Sequence, residues 1–387
     1  MGGALILPNA VAMIGITFPP GRSRNFCLGI FGAAAPVGGY LGAVLAGIFT
    51  KFTPWWGLFL FLGLLAFVTS TVLWKLLPHE KPVDVHGRVD WIGAALGTTG
   101  LVLFNFTWNQ APAAGWGNPY QIGILVGSVV TLAVFAAWEL YSPAPIMPLS
   151  IWKAPSFLPL MLSVLMSFMS FGVSKPTIRS TSSLCHLADV RRTDSAMVPG
   201  CLGPVGPQLT PFLFFGVFAA WWASWLIPRL PAQYTLAIGL LSVAISNVLI
   251  ATMPAKQTYW AQVFPATILM SFCPDLVFTA AQIIASNAVS RADQGVAASL
   301  IGVLLLYGNS IGLGFAGTIE MQVSKVNEDS LLGYRSALWF GCGIALLALV
   351  LDLLFVRMEK DDREGWDDEE DYDDEDRAVA SGVELQV

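Results

Sequence analysis

The stretch WWGLFLFLGLLAFVTSTVLW, residues 55 to 74, runs for twenty residues without a charge. An α-helix rises 1.5 Å per residue, so this length covers about 30 Å, the hydrocarbon thickness of a bilayer. Runs of this kind recur along the chain. No Asp, Glu, Lys or Arg occurs from Asn25 to Thr50, Phe52 to Trp74, Trp91 to Trp138, Leu230 to Ala255 or Gln294 to Ile319. Only 12% of the 387 residues are charged and the mean hydropathy is +0.65. Backbone groups in lipid find no water, which leaves helices or closed barrels, and the period-two alternation of barrel strands is absent. The sequence therefore predicts an all-α polytopic membrane protein.

Eleven spans follow, at about 3–18, 27–49, 55–77, 91–110, 120–141, 155–173, 210–228, 234–253, 259–287, 295–319 and 336–357. Positive residues in short loops stay cytoplasmic. Arg22, Arg24, Lys75, Lys81, Arg88, Lys153, Arg229, Arg291 and Arg357 fall on one side; Lys51, Lys256, Lys325 and Arg335 fall on the other. That balance predicts a cytoplasmic C-terminus and an outward Met1. Met1 opens inside an apolar stretch without a basic leader, and the reading at this point is that the chain is cut.

Charge and composition exclude several functions. Thirteen of the 26 acidic residues lie between Glu359 and Asp376, a self-repelling block read as a disordered cytoplasmic tail over 359–387. Without the glycine turn of an EF-hand loop, that block is no calcium site. Five cysteines and three histidines show no metal spacing, and no phosphate-binding loop is present, so neither a metal, a cofactor nor ATP-driven pumping is expected. Trp55, Trp56, Trp74, Trp91, Trp108, Trp116 and Trp152 near span ends read as an aromatic belt. Asn105-Phe106-Thr107 matches a glycosylation acceptor but falls within the bilayer.

Phe18-Pro19-Pro20-Gly21-Arg22-Ser23-Arg24-Asn25 leads into a helix carrying Ala35, Pro36, Gly38, Gly39 and Gly42. This region resembles the fourth-to-fifth span of major facilitator superfamily transporters of the fungal fourteen-span drug:proton antiporter type. In that family the fifth span carries a Gly-Pro-x-x-Gly-rich antiporter motif, here with Ala35 in place of Gly. Val85 to Gly93, Leu103 to Gln110, Pro228 to Pro231 and Cys273 to Leu276 look like further family segments. The resemblance implies that the eleven spans are the fourth to fourteenth, with about the first three absent and with them a basic loop motif and a membrane arginine tied to proton coupling. Residues 1–78 are then a three-span remnant of an N-terminal bundle, and 79–154 a cytoplasmic loop with two linker spans. Residues 155–173 and 210–358 form a six-span C-terminal bundle. The polar segment 174–209, with Lys175, Arg179, Arg191 and Arg192, fits no family span and reads either as a gene-model error or as a regulatory loop.

Charges inside the membrane cost about 2.5 to 3.5 kcal/mol on insertion scales, which marks them as candidates. Asp275 follows Pro274 in mid-span, and reads either as a proton or substrate group or as a helix–helix hydrogen bond. Asp352 is expected to pair with Arg357, and Glu139 and Glu320 to anchor span ends. Asn105, Asn109, Gln110, Gln282, Asn287 and Asn309 either line a cavity or bond neighbouring helices. Gly38 and Gly42 form a Gly-x-x-x-Gly face suited to close helix approach, and Pro36 removes a backbone donor and bends the helix. Arg22, Arg24 and Arg88 are the basic loop residues.

The functional expectation from the resemblance is export of small amphipathic drugs, toxins or secondary metabolites in exchange for protons, by alternating access. The partners are then the bilayer, the small-molecule cargo and protons, without nucleic acid, at the plasma membrane first and the vacuolar membrane second. A truncated or mis-spliced product without transport activity is the alternative. A membrane enzyme ranks last, because no span contains His.

Overall fold

A computed structural model describes residues 9–11, 13–14, 17–18, 22–76, 90–142, 145–147, 151–152, 156–192, 206–226, 229–254, 260–289 and 294–357. Among them are ten helices and no strand: α1 (Arg22–Phe52), α2 (Trp55–Leu76), α3 (Trp91–Ala114), α4 (Pro119–Tyr141), α5 (Phe157–Arg192), α6 (Gly206–Leu226), α7 (Ala232–Ala251), α8 (Val263–Ala288), α9 (Gln294–Asn327) and α10 (Ser330–Phe355). Ten of the eleven expected spans are thus helices; the first, 3–18, lies mostly outside the described residues, as do Arg88 and the acidic tail. Eight of the helices are long and apolar enough to cross a membrane by length and composition alone, and the chain is an integral multi-pass membrane protein.

Helix ends follow local chemistry. Asp90 caps α3 by accepting from the Gly93 N–H at 2.9 Å, and Gly115 stops that helix with φ of 81°. Asn118 caps α4 ahead of Pro119, and Asp329 caps α10 by accepting from the Leu331 and Leu332 N–H groups. The span expected over 155–173 is the apolar part of α5, Phe157–Ser174, and the helix itself continues to Arg192, since the backbone ladder of a helix needs no apolar stripe. Likewise α9 runs to Asn327, leaving Glu320 two turns inside the helix instead of at its end.

Helices α5 to α10 form one body around Phe157, Leu160, Val164 and Phe168 of α5, Leu236 and Leu240 of α7, and Ile283 of α8, all buried. Close approach of α5 and α9 depends on glycine. A Cβ on Gly312 would stand 2.1 Å from the Met169 carbonyl oxygen, and one on Gly308 would stand 2.8 Å from that of Leu165. The Gly-x-x-x-Gly contact of this protein is therefore Gly308–Gly312. Gly38 and Gly42, expected to play that part, have nothing within 4 Å of their Cβ positions among the described residues. At 100° per residue Gly38 lies about 200° around α1 from Pro36, the residue of the motif that does pack, so Gly38 and Gly42 are turned away from that contact.

The α3–α4 pair is fastened to this body through α9. Ser310 donates to Asn105 Oδ1 at 2.9 Å, Asn109 donates to Ser310 Oγ at 3.2 Å, Tyr307 donates to the Leu101 carbonyl at 3.2 Å, and Trp108 stacks on Phe315 at 3.8 Å. Helix α1 lies on α6 and α8, while α2 packs on α1 and exposes nearly its whole apolar surface.

Candidate functional site

The site is built where α1 crosses α6 and α8. Helix α8 carries Pro274 and Asp275 in mid-helix, and Asp275 is 4% exposed. Its Oδ2 has no hydrogen-bond partner among the described residues. Gly216 of α6 leaves the space in which α1 comes near. A Cβ on Gly216 would stand 2.7 Å from Pro36 Cβ and 3.4 Å from Asp275 Oδ2. Pro36 and Asp275, two features with no evident connection in the sequence, therefore share one contact.

One turn along α8, Thr279 Oγ1 lies 3.3 Å from the Cβ position of Gly32; it too is buried and has no partner among the described residues. Pro36 lacks an N–H, so the Gly32 carbonyl one turn before it loses its usual helical donor. Further along, Arg24 donates from Nη2 to Asn287 Oδ1 and is fully buried. Asn287 is in the last turn of α8, where unsatisfied carbonyls and the negative end of the helix dipole favour a cation. Buried residues of α1 step by four, at 24, 28, 32 and 36, and its contacts with α8 fall in number along that helix, from Asn287 at Arg24 to Thr279 at Gly32. Two antiparallel ridges thus run from Arg24–Asn287 to Pro36–Asp275, with Phe31 and Phe278 flanking them at a 6.3 Å ring separation.

The remaining expected site residues are dispersed. Gln282 donates to the Ala298 carbonyl at 3.3 Å and joins α8 to α9 beside Arg24, in a small cleft shared with Leu28, Ser286 and Gln294. Asn105 belongs to the α3–α9 fastening, and Gln110 is exposed. Asn309 donates to the Leu305 carbonyl of its own helix at 2.9 Å, and its buried Oδ1 is unpartnered among the described residues. Asn105 and Asn109 of α3 and Gln282 and Asn287 of α8 thus bond neighbouring helices.

Asp352 does not pair with Arg357: it is fully buried with both carboxylate oxygens unpartnered among the described residues, whereas Arg357 is exposed beyond the end of α10. Helix α10 ends at Phe355, so Arg357 lies past the helix in which Asp352 is buried. Glu139, in the last turn of α4 as expected, is buried and accepts from the Met147 N–H at 3.1 Å and the Ile146 N–H at 3.4 Å. At the start of α3, the Gly93 N–H, with the Trp138 indole and the Ser142 hydroxyl, holds the Asp90 carboxyl below its usual range.

Several residues were not singled out from sequence. Gly32, Gly216 and Thr279 complete the α1–α6–α8 contact. Ser163, Ser167, Ser170 and Ser174, spaced four, three and four, form a fully buried stripe on α5. Asn247 of α7 donates to Ser170 Oγ at 2.9 Å and accepts from Ser174, and Ser167 Oγ lies 3.4 Å from Cys273 Sγ, two residues from Asp275. Their heptad spacing was the available signal.

Comparison with known proteins bears on this arrangement. Residues 208–379 match the family model described as Major Facilitator Superfamily. An efflux pump, terG, of Aspergillus terreus is 34% identical over 92% of this chain and 67% of its own length. The low affinity ammonium transporter of Saccharomyces cerevisiae is 32% identical over 90% of the chain and 67% of its own length. An uncharacterized transporter of the same yeast is 32% identical over 92% of the chain and 65% of its own length. The chain thus spans about two thirds of the length of these relatives. With helical spans in the expected order and these similarities across nine-tenths of its length, the chain belongs to the major facilitator superfamily.

Proposed function

We propose that this protein exports small amphipathic compounds in exchange for protons, by alternating separation and closure of α1 against α6 and α8. The observation that carries the reading is Asp275, a carboxyl sealed at the meeting of those three helices with an oxygen left unpartnered. An unpaired charge in so dry a contact is costly, so closure of α1 favours the neutral acid. Separation admits water and lets the proton leave, and the ionised carboxylate then opposes reclosure. Proton loss and helix separation therefore reinforce one another by linkage, the minimum that exchange of cargo for protons requires. The efflux-pump relatives favour export, and the family resemblance implies drugs, toxins or secondary metabolites as cargo. The ammonium transporter relative favours a second reading, a small nitrogenous cation.

Proteoliposomes holding the full chain test this. An imposed pH gradient should drive accumulation of a lipophilic cationic dye. Asp275→Asn should lose pH-driven accumulation while keeping dye-for-dye exchange, because only the proton step is removed. Accumulation in wild type that ignores the gradient, or an Asp275→Asn protein that still follows it, sinks the proposal. Ammonium competing with the dye supports the second cargo.

A further inference from the structure

Between α1 and α6, on the outer surface of the helix body, runs an apolar groove of about 250 Å³. Its walls are Phe26, Ile30 and Ala33 of α1, and Val217, Trp221 and Trp225 of α6, with Gly29 deepening the floor. Phe26, Ile30, Trp221 and Trp225 are all substantially exposed. The Pro36–Gly216 contact closes one end. From that contact α1 numbers fall and α6 numbers rise along the groove, so the helices are antiparallel, and Phe26 and Trp225 mark the other end. Ten residues of α1 separate Pro36 from Phe26, about 15 Å of helix. The groove is thus a blind slot lying along a membrane-crossing helix, long enough for much of one acyl chain.

The open end carries a charge. Arg229 lies one turn past Trp225, is exposed, donates to the Trp225 carbonyl at 2.6 Å and stacks its guanidinium over the Trp225 ring at 4.0 Å. Two contacts on one residue fix the fork in place, and a guanidinium has five N–H donors, so several remain for an oxyanion. Nothing in the groove lining is charged. On the loop-charge reading Arg229 shares the cytoplasmic side with Arg22 and Arg24, and anionic lipids concentrate in that leaflet.

We propose that this groove is a binding site for one anionic phospholipid of the cytoplasmic leaflet, its acyl chain between α1 and α6 and its phosphate on Arg229. Charge complementarity selects this occupant over a zwitterionic lipid or a cationic cargo. A cation would meet Arg229 at the end of the groove beyond Trp225. Because the lipid bridges the two helices beside the Pro36–Gly216 contact, it favours the closed arrangement without touching Asp275. The site stands whether or not the exchange mechanism above holds.

Native mass spectrometry of the detergent-purified full chain, titrated with phosphatidylserine or phosphatidylcholine of equal chain length, tests the site. One phosphatidylserine should be retained about fivefold more tightly than phosphatidylcholine, the scale expected for one cation at a lipid surface. Arg229→Gln should erase that preference and Arg229→Lys should keep most of it. Ala33→Trp, which fills the slot, should lose the tightly held lipid of either kind. Separate dye titration of the purified chain checks that each variant is folded. Equal retention of both lipids by wild type, or a preference unchanged in Arg229→Gln, overturns the proposal. Displacement of the lipid by a lipophilic cation that binds better to Arg229→Gln also overturns it, and makes the groove a cargo path.

Discussion

Gly216→Ala is the smallest perturbation that separates α1 from the carboxyl it covers. The added methyl would stand 2.7 Å from Pro36 Cβ and 3.1 Å from Pro36 Cγ, whereas carbon atoms pack at roughly 3.5 to 4.0 Å. Helix α1 must therefore retreat by about 1 Å, because the proline ring is stiff and cannot swing aside. Overpacking of this kind costs about 1 to 3 kcal/mol, and one factor of ten in an equilibrium corresponds to about 1.4 kcal/mol. If closed and open arrangements interconvert, the substitution moves the balance toward open by about five- to a hundredfold. Spin labels at Ser23 and Leu230, both exposed near the ends of α1 and α6, read the separation by electron–electron distance measurement in a cysteine-free background. The expected result is growth of a longer-distance population in Gly216→Ala and none in Gly38→Ala, whose Cβ position is open. Identical distance distributions in Gly216→Ala and wild type, with the protein folded, would refute the argument that Gly216 sets the approach of α1.

Three further outcomes are expected. Arg24→Gln and Asn287→Ala should each raise the open population, and the double variant should add little to either, because both remove one hydrogen bond; full additivity in the same distance experiment would separate the two residues. Gly312→Ala should cost folding instead of shifting the open population, since its methyl meets the backbone carbonyl of Met169 at 2.1 Å; a sharp loss of monodisperse protein on size-exclusion chromatography checks it. Asp90 has its carboxyl held below the usual range by the Gly93 N–H first, so its cap on α3 persists above the ordinary carboxylate range and is lost as pH falls through the depressed value. Trp138 fluorescence, in a variant with the other tryptophans of α3 and α4 replaced, should therefore hold steady through mildly acidic pH and change only below it, and Asp90→Ala should abolish that transition.

The helical architecture was legible because it rests on composition: an uncharged run such as 55–74 is a statement about one segment and its solvent. What the sequence hid depends on two segments at once. Gly38 and Gly42 have the right spacing for close helix packing, yet the packed ridge of α1 is 24, 28, 32 and 36, and only the position of α8 decides which of two glycine-rich faces is used. The spacing of Gly308 and Gly312 was just as visible, and it was the one used. Asp275 was recognisable as a charge in an apolar span, but its neighbours were not. Gly216 carries no chemistry and Thr279 is ordinary in a membrane helix, so neither stands out until Pro36 is seen against them. Asp352 makes the same point from the other side. Nearness in sequence to Arg357 predicted a pair, but the helix ends at Phe355 and the fold buries one residue while exposing the other. A membrane sequence thus records which residues are costly to bury, and it is the register between helices that decides which of those costs are met by a partner.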